Sequence, residues 1–273
     1  MTVTSVSGTP AEVEGDRPAI ASVAEILRDI ARGGIASLIV GLLVAGVGGR
    51  VVMRLAAMLV PNSVGAFTEN GNRIGDITLS GSVGLIFAGL FLGPFAGVVW
   101  VVVSPWIPGK GRARAILTMP IAVALGTLLL IRADNRDFRI LDHDPLVVAI
   151  LLALVAAVGL SIALVDDWLD RRLPGDTAGP SRATAVYAVV TLLRAGLVFP
   201  FVVLGYFQPE LRPVGLALVV IGLSTLGWWV LRRRGQAQPP RVLTILGRTA
   251  LLAAVVLGVA AAVPEVSGAL GMR

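Results

Sequence analysis

The chain has 273 residues, of which 56% are hydrophobic and 15% are charged, and its formal net charge is +6. Together with a mean hydropathy of +0.86, this composition excludes an ordinary soluble domain. The positive charge does not indicate nucleic-acid binding, because there is a single lysine, Lys110, and the arginines are scattered beside apolar runs rather than clustered on one patch.

The N-terminal 32 residues precede the first long apolar run. Residues 1–18 are rich in Ser, Thr, Pro, Glu and Asp, lack the apolar core of a signal peptide, and are predicted to form a disordered tail. In residues 19–32, Ile20, Val23, Leu27 and Ile30 recur on one helical face. This segment is interpreted either as an amphipathic helix lying on the membrane surface or as a helical extension of the first span.

Seven long apolar runs then fill residues 33–263, and each is long enough to cross roughly 30 Å of hydrocarbon as a helix. The predicted spans are 33–55, 82–104, 114–131, 146–165, 184–206, 214–231 and 242–263. The sequence therefore predicts an all-α, polytopic integral membrane bundle of about seven transmembrane helices, followed by a short C-terminal tail at 264–273.

Lysine and arginine alternate in number between the two sides of these spans. Thirteen flank the spans on the side of the N-terminus, and six flank them on the opposite side. Since the side richer in Lys and Arg faces the cytoplasm, the N-terminus is predicted to be cytoplasmic.

Small residues recur one helical turn apart in the first two spans. The second span carries Gly89, Gly93 and Gly97, and the first carries Gly41, Ala45 and Gly49. Such spacing lets helix backbones approach closely in lipid. The pattern indicates helix packing within one bundle, with a homo-oligomer interface as the alternative.

Three arginines inside or at the edge of spans are candidates for function: Arg50, Arg54 and Arg194. An arginine in the hydrocarbon core is costly unless it is paired or hydrated. No Asp or Glu lies within the cores of the predicted spans, so the expected partners are backbone carbonyls, water, loop carboxylates, lipid phosphates or an anionic ligand.

Two outer loops are the most polar segments outside the tail. In the first, Ile74, Ile77 and Leu79 are predicted to pack a small hairpin against the bundle. In the second, Arg and Asp alternate before span four. With the span arginines, these loops form a candidate vestibule for an anion or a lipid headgroup, built from Arg50, Arg54, Arg194, Glu69, Arg73, Asp76, Arg136 and Asp137.

Other chemistry lacks the residues it would need. The chain has no cysteine and one histidine, His143, so thiolate metal sites and a bis-histidine haem are excluded. Asp142-His143-Asp144 is interpreted as a solvated loop, because adjacent residues do not converge on one ion. We expect no catalytic residue, metal or cofactor.

Three functional classes stay open. The first is a transporter or binder of an anionic or lipidic solute, and the second is a non-catalytic subunit or assembly factor of a membrane complex. The third is a lipid-modifying enzyme that uses loop carboxylates such as Glu69, Asp76 or Asp137. The expected partners are the lipid bilayer, an anionic lipid or small anion, and a second copy or a membrane complex partner. The Arg-rich, Lys-poor composition favours a bacterial protein of the plasma membrane.

Overall fold

A computed structural model describes residues 17–69, 71, 73–75, 79–173, 185–193 and 211–272. These residues form helices, and the only extended pairing among them is an isolated antiparallel bridge between Phe67 and Arg73. Six of the helices are long and apolar enough to cross a membrane, which confirms the predicted all-α membrane bundle. The predicted fifth span, 184–206, lies mostly outside the described residues, although 185–193 is helical.

The helices are numbered in chain order. They are α1 (Arg17–Val40), a π-helical segment (Gly41–Val47), α2 (Gly48–Leu59), α3 (Leu79–Val103), α4 (Gly111–Leu130), α5 (Arg136–Ile140), α6 (Pro145–Arg172), α7 (185–193), α8 (Arg212–Arg233) and α9 (Arg241–Ala269). Helix is the expected backbone because a bilayer offers no water to satisfy free amide groups. Residues 19–32 continue into the first span without a break, and residues 264–269 continue the last one.

The six long helices pack as a ring in the order α1, α3, α8, α9, α4, α6 and back to α1. Because α1, α4 and α9 run in one direction and α3, α6 and α8 run in the other, the bundle has two ends. The charged end contains the starts of α1, α4 and α9 and the ends of α3, α6 and α8. The loop end contains the opposite termini together with α5 and the residues between α2 and α3.

Glycines set the closest helix contact, between the first span and α3. A Cβ on Gly93 would lie 2.7 Å from the carbonyl oxygen of Ser37, and a Cβ on Gly41 would lie 2.9 Å from Cα of Gly93. Gly89 meets Gly41 in the same way. The small residues in the first two spans therefore pack the bundle internally, which is the first of the two interpretations of that pattern.

The main core occupies the charged half of the ring. Trp100, Val103 and Trp106 pack there with Ile162 and Ile221, and all five are buried. The indole N–H of Trp106 donates to Oγ1 of Thr225 at 2.9 Å, so its polar atom is satisfied inside the bundle. A smaller cluster at the loop end holds α5 against α6 and α9; it contains Ile131, Phe138, Val148 and Ala269.

Candidate functional site: the two polar ends of the bundle

Arg50 and Arg54 lie one turn apart on α2, Arg50 near its start and Arg54 near its middle, as their spacing predicts. Nη1 of Arg54 donates to the carbonyl oxygen of Gly75 at 2.7 Å, which ties α2 to the first outer loop. The neighbouring stripe of α2 is apolar and exposed; it comprises Val47, Val51, Leu55 and Met58, which are 40–60% exposed. Residues of this stripe lie both before and after the two arginines along the helix, so each guanidinium has apolar, exposed neighbours.

The first outer loop folds back on itself through the bridge between Phe67 and Arg73. The Arg73 guanidinium lies 5.9 Å from the centre of the Phe67 ring, a cation–π contact. Ile74 is buried against the end of α2 and the start of α6, as predicted. Leu79 is 82% exposed, so the prediction that it packs on the bundle is wrong: it begins α3 and projects away from the core.

A direct hydrogen bond joins the two outer loops. Oδ1 of Asp137 accepts the backbone N–H of Glu69 at 2.7 Å. The N–H of Asp137 in turn donates to Oδ1 of Asn135, which caps α5. The Asp137 carboxylate therefore helps to hold the loops together, which is a structural role. Arg136 is exposed on the same short helix.

Arg50, Arg54, Glu69, Arg73, Arg136 and Asp137 of the predicted vestibule thus all lie at the loop end. The structure links Arg54 to the first loop and Glu69 to Asp137, while Arg194 and Asp76 lie outside the described residues. His143 has a φ of 52°, and its Nδ1 lies 2.8 Å from the carbonyl oxygen of Ala269, so it binds the end of α9. Within the described ranges, no three His, Cys, Asp or Glu residues converge on a metal position.

The charged end holds an ion-pair network that the sequence analysis missed. Its centre is Asp166 of α6, which is 1% exposed. Nε of Arg32 in α1 donates to Oδ1 of Asp166 at 2.8 Å, and Nη2 of Arg114 in α4 lies 3.5 Å from Oδ2. Arg114 also pairs with Asp167. One buried carboxylate therefore holds three helices together.

The same network extends to the end of α6 and to α8. Arg28 donates to Oδ1 of Asp170 at 2.9 Å and to the carbonyl oxygens of Asp170 and Leu173 at 2.7 and 3.2 Å, which satisfies free carbonyls at the helix terminus. Arg32 also contacts Asp170. Arg232 of α8 donates to Glu25 and Asp29 of α1 at 2.9 and 2.8 Å.

The charged residues of this network recur at helical spacing in the sequence. Glu25, Asp29 and Arg32 lie on one face of α1, and Asp166 and Asp170 are four residues apart on α6. The predicted fourth span ends at residue 165, one residue before Asp166, and the flanking arginines indicate orientation without indicating their partners. In the structure α6 continues to Arg172, so Asp166 and Asp170 belong to a spanning helix although they lie beyond the predicted span.

The two polar ends are about one hydrocarbon thickness apart. Arg32 and Arg50 are separated by 18 residues of nearly continuous helix, which corresponds to about 27 Å at the rise of an α-helix. Along the first span, Arg50 is therefore about one hydrocarbon thickness from the ion-pair network. Comparison with protein-family models, with curated proteins and with solved structures finds no match for this chain.

Proposed function

We propose that this multi-pass membrane protein binds an anionic amphiphile at its loop end, as a transporter or binding protein for an anionic or lipidic solute. The observation that carries the proposal is the pair of arginines one turn apart on α2, beside an exposed apolar stripe. A ligand with an acyl chain and an anionic group matches both parts of that surface.

Guanidinium chemistry supports this ligand class. Arginine presents a planar fork of N–H donors that suits phosphate and carboxylate oxygens, and it is more weakly hydrated than lysine. One terminal nitrogen of Arg54 is held by Gly75, which orients the side chain. A fork that is already oriented loses less conformational entropy when the ligand binds.

The surroundings of Arg54 extend the positive surface. Arg73 belongs to the same loop as Gly75, and its guanidinium contacts the Phe67 ring. By the distribution of Lys and Arg, this end faces away from the cytoplasm. The proposal therefore places the site on the outer face of a bacterial plasma membrane.

A second candidate function, a non-catalytic subunit or assembly factor of a membrane complex, is favoured by a different observation. The network at the charged end joins α1, α4, α6 and α8 through four arginines and five carboxylates. Together with the glycine contacts between the first span and α3, it makes a tightly tied bundle. Such a bundle suits a protein whose role is to present a fixed surface to a partner.

Native mass spectrometry of the protein in mild detergent separates these proposals. The variant Arg50→Gln/Arg54→Gln is compared with Arg139→Gln/Arg212→Gln, which removes the same charge from two exposed arginines at the loop end. Each is titrated with dioleoyl phosphatidic acid and, separately, with inorganic phosphate. Arg50→Gln/Arg54→Gln loses charge-assisted hydrogen bonds to the ligand that are worth about 1.5–3 kcal/mol, so it should bind the ligand about tenfold more weakly or worse. Arg139→Gln/Arg212→Gln should bind it as the wild type does.

The outcomes point in different directions. Weaker binding of phosphatidic acid without binding of inorganic phosphate supports a lipidic ligand, and weaker binding of both supports an anionic solute. Equal binding to the two variants contradicts the proposed site. A stoichiometric partner protein that remains bound in both variants favours the membrane-subunit function.

A further inference from the structure

A groove of about 340 Å³ lies between α6 and α9 in the half of the bundle nearer the loop end. This volume is within the range of small-molecule sites. The floor is α4 and the walls are α6 and α9. Residues that define it include Val123 and Thr127 of α4, Leu152 of α6, and Val259, Val263 and Ser267 of α9.

The groove opens on the outer side of the ring. On the opposite side of α4, Ile121 and Leu125 pack into the main core. Val259 and Val263 in the groove wall are 48% and 55% exposed, so the groove is open to the protein surface. Among the described residues, no helix covers this opening. The groove is separate from the Arg50 and Arg54 site, because α2 packs on a different side of α6, near Val147 and Leu154.

The depth of the groove matches one leaflet. From Val259 to Ser267 the lining extends over about 12 Å of helix, compared with about 15 Å for half of the hydrocarbon core. At its upper end, Leu152 and Val266 of the lining pack against the loop-end cluster around Phe138. A chain that lies in the groove therefore has its polar end at the level of the loop between α4 and α5.

The lining selects an apolar occupant. Thr127 donates its hydroxyl to the carbonyl oxygen of Val123 at 2.6 Å, so this polar group is already satisfied. Apolar cavities of comparable size stay dry, because water loses hydrogen bonds inside them. An acyl chain restores the van der Waals contacts that an empty groove would forfeit.

The loop above the groove supplies the charge for a headgroup. Arg132 is the second residue after α4, and its side chain is 48% exposed. Its Nε is 3.3 Å from Oδ1 of Asp134, and among the described residues its terminal nitrogens have no further protein partner. Glu265, the nearby carboxylate, accepts the N–H of Ala133 at 2.6 Å. Arg132 is therefore a cation in the loop that follows the upper end of the groove-lining part of α4.

We propose that the groove between α6 and α9 binds one acyl chain of an anionic phospholipid from the leaflet at the loop end, with the lipid phosphate on Arg132. The site is independent of the ligand proposed for Arg50 and Arg54. It makes one lipid of that leaflet a stoichiometric component of the folded bundle.

The test uses the full-length protein in mild detergent, titrated with dioleoyl phosphatidylglycerol and observed by native mass spectrometry. Val263→Trp fills the groove from its exposed wall. Val256→Trp makes the same change at a position that is 58% exposed on the same helix and outside the groove. Arg132→Gln removes the headgroup contact, and Arg139→Gln is its control in the adjacent helix.

The wild-type protein and both controls are expected to retain one phosphatidylglycerol. Val263→Trp is expected to bind it about tenfold more weakly, and Arg132→Gln roughly two- to fivefold more weakly, as for an exposed ion pair. Equal retention by Val263→Trp and Val256→Trp overturns the site. Loss of a dimer in Val263→Trp, without a change in lipid binding, also overturns it and assigns the groove to a second copy of the chain. Equal binding by Arg132→Gln and Arg139→Gln overturns the headgroup assignment.

Discussion

Replacing Arg32 by glutamine removes the guanidinium that joins α1 to α6 at the charged end of the bundle. Arg32 pairs with Asp166, Asp170 and Asp29, and its own side chain is only 15% exposed. After the substitution, Asp166 keeps a single cationic neighbour, Arg114, at 3.5 Å. The side chain of Asp166 is 2% exposed, so water replaces the lost partner poorly.

The burial of the partners sets the size of the effect. Removing one partner of a buried ion pair typically costs 3–5 kcal/mol, because a charge stays buried without compensation. Asp170 and Asp29 are 50% and 25% exposed and regain solvation, and Asp166 retains Arg114. The lower end of the range therefore applies, about 3 kcal/mol, which corresponds to a fall in Tm of roughly 6–12 °C for a chain of this size.

Thermal unfolding in mild detergent, followed by tryptophan fluorescence, measures this change. The control is Arg132→Gln, which breaks a pair whose side chains are 48% and 77% exposed; it should lower the free energy of unfolding by at most about 1 kcal/mol. Arg32→Lys keeps the charge but loses the planar fork, so its Tm should lie between those of wild type and Arg32→Gln. If Arg32→Gln unfolds within about 2 °C of Arg132→Gln, the network does not hold the helices together and the reasoning is refuted.

Three further predictions concern packing, the loop end and orientation. Gly93→Val should lower the free energy of unfolding by about 1–3 kcal/mol through overpacking against the first span. The control Gly84→Val, whose Cβ would meet no atom of a neighbouring helix within 4 Å, should change it by less than about 0.5 kcal/mol. Equal Tm values would contradict the close helix contact. Phe138→Ala should cost about 3–5 kcal/mol by opening a cavity in the loop-end cluster, and an unchanged Tm would show that α5 does not pack there. Because the chain has no cysteine, a single cysteine introduced at Lys110 or Asp134 reports orientation when intact cells are treated with a membrane-impermeant thiol reagent. Only Asp134→Cys should react. Labelling of Lys110→Cys alone would reverse the predicted topology.

The apolar runs contained enough information to predict the bundle. A stretch that is apolar on every face and long enough to cross the bilayer forms a helix in lipid, because a helix satisfies its backbone hydrogen bonds within the segment. The ends of the helices were less predictable. Charged residues such as Asp166 interrupted the apolar pattern, so the predicted spans stopped before them, although the helix continues for several residues.

Local spacing also identified the glycine contacts. Close approach of two backbones needs small residues one turn apart, and this requirement is visible along a single helix. The choice between packing inside the bundle and packing between copies was not visible. It depends on which helix lies opposite, and in the structure α3 lies against Gly41 of the first span.

The sequence by itself determined that this is a multi-pass helical membrane protein, and that Arg50 and Arg54 share one side of a helix. Only the tertiary structure decided which charges meet. Arg32 and Asp166 are 134 residues apart in the chain, and their pairing depends on α1, α4 and α6 being neighbours in the ring. The groove between α6 and α9 likewise exists only because α4 lies between them, and neither helix has a sequence pattern that indicates this arrangement. Helix formation is dictated by the solvent and by local spacing, whereas these sites depend on long-range packing, which a single sequence does not encode in a readable pattern.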